Sequence, residues 1–122
     1  MSIVWVANYA GHPYDQAEKF GELRYLTRGY VSLGNLDRLV YYVAEKVADT
    51  KAEDYLLLSG LCVVGVIASV AWVTMWGGVK ILHWDKKNSD YVPLEFTRGQ
   101  LEKMFDVFLI QEAEDKWKAQ NE

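Results

Sequence analysis

From Tyr55 to Val79 the chain carries no charged residue, and the way this run is divided decides what the protein can be. Taken whole, YLLLSGLCVVGVIASVAWVTMWGGV is long enough to cross a bilayer, which needs ~20 apolar residues. Taken in pieces, YLLLS is a short buried strand, Gly60 a turn, Leu61 to Trp76 a buried helix and Gly77-Gly78 a break before a second strand, VKILHW. The pieces form a βαβ unit of an α/β domain. Three features favour this division. The run is interrupted by Ser59, Gly60, Gly65, Ser69, Thr74, Gly77 and Gly78. The chain turns apolar again just beyond Lys80. The flanking charges give only a slight positive excess after the run. For a single membrane span, the competing reading, Trp72 and Trp76 would be interfacial anchors.

At 122 residues the chain fits one domain, 1–122, with the last few residues a frayed helical tail. A hydrophobic share of 51% and a charged share of 25% suit a globular protein. The net charge of −4 and the lack of a Lys/Arg cluster argue against duplex nucleic acid as a partner. The single cysteine, Cys62, excludes an internal disulfide. MSIVWVANYAGHPYD lacks the basic start of a signal peptide, so a reducing cytoplasm, of a cell or of an infected host, is expected. Five Trp and eight Tyr exceed the needs of a minimal core and point to a ligand site or a homo-oligomer contact.

Ile3 to Ala7 (IVWVA) reads as a central strand buried on both faces. Asp15 with Glu18 matches a capping box, which predicts a helix to about Leu26; Gly29 ends it, and Tyr30 to Leu33 is a short second strand. Asn35 caps a clearer helix whose stripe is Leu36, Leu39, Val40, Val43 and Val47. DKKNSD is a turn, so VKILHW and YVPLEF pair as a hairpin, with Pro93 confining the latter to an edge. Thr97 with Gln100 opens a last helix with Leu101, Met104, Phe105, Phe108 and Leu109 as its core stripe. The expected fold is therefore α/β: a small Rossmann-like three-layer sandwich, with a mostly parallel sheet of four or five strands in an order such as 2-1-3-4-5.

In such sheets a ligand lies beyond the carboxyl ends of the strands. Those ends carry Asn8, Gly11, His12 and Tyr14 after the first strand, Ser59 and Gly60 after the third, and His83 and Asp85 after the fourth. The short second strand adds Ser32, Gly34 and Asn35. Ser59-Gly60 leading into a helix suits an anion, because backbone N–H groups and the helix dipole converge there; equally, Gly60 can simply make a tight turn. Neither the dinucleotide fingerprint nor the P-loop is present. His12 is placed to act as acid or base or to hydrogen-bond a ligand, against a loop histidine facing water. His83 reads as structural. No spacing of His, Cys or carboxylates predicts a metal, and no cofactor is expected. Cys62 reads as an inert core thiol.

The segment VANYAGHPYDQAEKFGELRYLTRG, followed by EDYLLLSG, resembles small proteins of tailed bacteriophages that share the pattern Asn-x-x-Gly-His-x-Tyr-x-x-Ala-Glu-x-Phe-Gly. Asn8, Gly11, His12, Tyr14, Ala17, Glu18, Phe20 and Gly21 match it, over a likeness that spans the first two-thirds of the chain. The resemblance brings no known activity; it implies a phage accessory or counter-defence protein. The expected function is binding of a nucleotide-like, anionic small molecule, with sequestration of a host signalling nucleotide as the form it takes in a phage. Two alternatives come from other classes: a nucleotide-processing enzyme using His12, and a protein-binding module whose aromatics and acidic last helix dock on a partner.

Overall fold

The computed structural model describes residues 2–11, 13–60 and 62–121. Five strands form one sheet: β1 (Ile3–Tyr9), β2 (Glu22–Arg28), β3 (Tyr55–Leu57), β4 (Val79–Asp85) and β5 (Asp90–Phe96). Their order is β2-β1-β3-β4-β5, parallel except for the antiparallel β4–β5 hairpin. Among the described residues three helices accompany them: α1 (Leu36–Ala48), α2 (Cys62–Trp76) and α3 (Arg98–Asn121), with a 3-10 helix at Asp15–Phe20. No helix among the described residues is long and apolar enough to cross a membrane. The uncharged run is thus divided at its glycines. Gly60 (φ +76°) and Gly77 (φ +78°) both take the left-handed conformation that side chains disfavour. Gly77 also donates to the Val73 carbonyl at 2.8 Å, which closes the last turn of α2.

The α/β class, the parallel sheet and the edge hairpin agree with the expectation; the second strand does not. The predicted helix to Leu26 stops at Phe20, and Glu22–Arg28 pairs in parallel with β1 along its whole length. The Asp15/Glu18 capping box does not form, because the 3-10 segment has Tyr14 as its N-cap and no side-chain cap bond. Sequence alternation accounts for β2: Leu23 and Tyr25 pack on one face, while Glu22 and Arg24 remain exposed. Pairing with an otherwise unpaired edge of β1 outweighs a weak helical pattern interrupted by Gly21. Tyr30–Leu33, expected as a strand, is irregular loop.

The chain winds from β1 toward β2 with the 3-10 segment on one face. It then reverses, crossing with α1 and α2 on the other face. A switch of face together with a switch of direction keeps the hand of the crossovers constant. The α1/α2 face holds the larger core: Trp5, Leu26, Val43, Leu56, Val64 and Trp72 among others. The opposite face is sealed by Val4, Val6, Tyr14, Ala17, Leu57 and Leu82, with Phe20, Tyr25 and Tyr55 packed around them. The third layer expected on that face is therefore one short 3-10 segment and a set of aromatic rings. Part of the tyrosine excess is used here: Phe20 and Tyr55 meet edge-on at 5.5 Å, and Tyr9 and Tyr25 at 5.1 Å.

Two local devices hold the frame. Asn35 caps α1, its Oδ1 accepting from the Arg38 N–H at 3.1 Å. Within its predicted stripe Leu39, Val43 and Val47 are buried, whereas Leu36 and Val40 stay exposed. At the amino end of the sheet, Asp54 (1% exposed) accepts from the Ile3 N–H at 3.0 Å, the Trp5 indole at 3.0 Å and the Lys51 N–H at 2.9 Å. One side chain thereby ties β1 to the approach of β3.

The capping box of the last helix is present, with Thr97 N–H donating to Gln100 at 3.0 Å and Gln100 N–H to Thr97 at 3.2 Å. Its predicted core stripe is not core. No residue of α3 is buried, and Met104, Phe105, Phe108 and Leu109 all face solvent.

Candidate strand-end binding site

Strand order reverses between β1 and β3, so their carboxyl ends flank the crevice this topology leaves for a ligand. Asn8, near the end of β1, is buried at 4% exposure. The Thr27 hydroxyl at the end of β2 lies 2.8 Å from both Asn8 Oδ1 and the Ala7 carbonyl, fixing the amide against the neighbouring strand. Across the crevice stands Gly60. A Cβ there would lie 2.7 Å from the Asn8 carbonyl oxygen and 2.8 Å from its Nδ2, so only glycine lets the β3–α2 turn approach β1 this closely.

Two openings border the β2–α1 connection. One, ≈520 Å³, is lined by Asn8, Ala10, Gly29, Leu33 and Gly60. The other, ≈370 Å³, is lined by Arg28, Ser32, Asn35, Arg38, Leu39 and Tyr42. Tyr30 and Val31 border both, so the two are neighbours along the β2–α1 connection. Arg28 and Arg38 take part in no ion pair among the described residues. The Arg28 guanidinium rests over the Tyr25 ring, 4.5 Å from its centroid.

A separate recess of ≈430 Å³ opens on the opposite face around Tyr14, Ser59, Leu82, Trp84 and Tyr91. Tyr14 and Ser59 are joined hydroxyl to hydroxyl at 2.6 Å. Burial, with Tyr14 nearby, pushes the Tyr91 phenol above its ordinary value, so it stays a neutral donor at physiological pH. Lys19 pairs with Asp90 and straps the 3-10 segment to the hairpin; that hydrogen bond holds the Asp90 carboxyl below its usual range.

The residues expected at one edge are therefore divided. Asn8 and Gly60 face each other across the crevice. Gly11 (φ +88°) lies exposed in the following loop, and His12 lies outside the described residues. Tyr14 and Ser59 share the second recess. His83 is exposed on β4. Asp85 caps the hairpin turn, accepting from the Lys87 N–H at 3.0 Å and from Asn88 at 2.6 Å. Cys62, expected in the core, is exposed at the start of α2. The Ser32 and Asn35 region does border the cleft, as loop and N-cap rather than as the end of a strand. Sequence reasoning missed both arginines. A helix running on through Glu22 to Leu26 hides the strand that Arg28 ends, and Arg38 reads as ordinary helix surface. No group of three or more metal-ligating side chains occurs among the described residues.

The fold is a small doubly wound α/β domain with an opening at the topological switch point. The profile of the Phage Pam3 gp32-like protein family matches residues 5–98, and the chain belongs to that family. The match ends where α3 begins, so it covers nearly the whole sheet and the cleft. Neither a curated protein nor a solved structure matches the chain.

Proposed function

We propose that the protein binds a nucleotide-like, anionic small molecule in the cleft between Asn8–Gly60 and Arg28–Arg38. The observation that carries this reading is two arginines, free of carboxylate partners among the described residues, lining one opening that shares Tyr30 and Val31 with the opening at the switch point. Guanidinium groups suit phosphate because they offer paired donors in a planar fork. Arg28 would have to leave Tyr25, a contact worth about 0.5–1 kcal/mol at an exposed site, less than a charge-assisted phosphate bond returns. Tyr30 and Tyr42 line the same cleft and offer flat surfaces for a base. In a phage family this reading becomes sequestration of a host signalling nucleotide, a counter-defence role in the cytoplasm of the infected cell.

The test is a thermal-shift panel of mono- and oligonucleotide phosphates, followed by calorimetry of any binder. Wild type is expected to be stabilised by at least one phosphate ligand, with the Arg28→Ala/Arg38→Ala double variant binding at least about 100-fold more weakly, as loss of two charge-assisted contacts implies. Equal affinity in the double variant would move the ligand out of this cleft. No shift across the panel would remove support for a nucleotide altogether.

A further inference from the structure

α3 is 24 residues long, about 36 Å of helix, and none of it is buried. Its middle carries a broad apolar surface: Met104, Phe105, Val107, Phe108, Leu109 and Ile110 are all exposed, Phe105 by 69% and Phe108 by 62%. An apolar helix face of this width is ordinarily packed against another element. The domain does not supply one. The chain's accessible surface is 8443 Å² for 14.0 kDa, whereas a folded monomer of that mass exposes about 6,700 Å². The excess is roughly 1,700 Å² per chain, or about 3,500 Å² for two, within the range of obligate homodimers.

We infer that α3 is the dimerisation element of this protein, packing against α3 of a second copy about a two-fold axis. Met104, Phe105, Val107, Phe108, Leu109 and Ile110 lie together within two turns of the amino-terminal half of the helix, so the same segment of a second copy offers the matching surface, as an isologous contact requires. The excess area is what such a pair has available to bury.

Light scattering on the full chain after size exclusion tests this. A mass of about 28 kDa, twice that of the chain, is expected at micromolar concentration. Phe105→Lys/Phe108→Lys is expected to run as a monomer with an unchanged circular-dichroism signature of the sheet domain, since both side chains lie outside its core. A wild-type monomer overturns the inference, whether it then binds anionic vesicles or another protein. So does a dimer that survives both Phe substitutions.

Discussion

Asp54→Ala is expected to remove about 3–5 kcal/mol of stability, a large part of the 5–15 kcal/mol that holds a typical domain. The side chain accepts from three donors: the backbone of Ile3, the indole of Trp5 and the backbone of Lys51. Deleting it strands the Trp5 N–H in a dry interior and leaves the other two donors half covered. Each orphan costs about 1–3 kcal/mol, the lower end applying where water can enter. Asp54→Asn keeps one acceptor oxygen and brings an unwanted donor, so its loss should be smaller but still above about 1 kcal/mol. Urea unfolding followed by Trp fluorescence reads both. A loss below about 1 kcal/mol for the alanine variant would show that Asp54 is incidental to the sheet.

Gly60→Ala is the second large effect. An L-residue at φ +76° costs about 1–2 kcal/mol before any contact is considered. The new Cβ would also lie 2.7 Å from the Asn8 carbonyl oxygen, and 2.8 and 2.9 Å from two atoms of its side chain. These atoms belong to a buried residue tied to Thr27, so they cannot give way cheaply. A total loss of about 3 kcal/mol or more is expected, together with lost ligand binding as the crevice is forced apart. Gly11→Ala is the control. It shares a positive φ, yet nothing lies within 4 Å of its Cβ, so it should cost only the backbone strain. Equal losses at the two positions would deny that the β3–α2 turn must approach β1.

Much of this fold was legible because local and tertiary preferences agree. The run IVWVA reads as a buried strand and is one. Asn35 precedes an apolar stripe and caps a helix, and Pro93 sits on an edge strand, as a residue without a donor must. The failures come where they disagree. Asp15 and Glu18 imitate a helix start, but the pleated partner that makes Glu22–Arg28 a strand is β1, on the far side of that segment. The stripe of α3 is real as periodicity; periodicity reports that a face is apolar and does not say whose atoms cover it. The role of Asp54 is invisible in its local sequence, since two of its donors come from Ile3 and Trp5, some fifty residues away. The cleft followed the same division. Asn8 and Gly60 were readable from the rule for strand ends, whereas Arg28 and Arg38 needed the true position of β2.

The cleft at the β1–β3 switch point is best tested by native mass spectrometry of the protein purified from infected cells, under conditions that keep small ligands bound. The expected spectrum carries an additional anionic, phosphate-bearing mass on the wild type, absent from Arg28→Ala/Arg38→Ala protein prepared in parallel. A wild-type spectrum at the bare polypeptide mass, or the same added mass on both proteins, would contradict a nucleotide held by these two arginines.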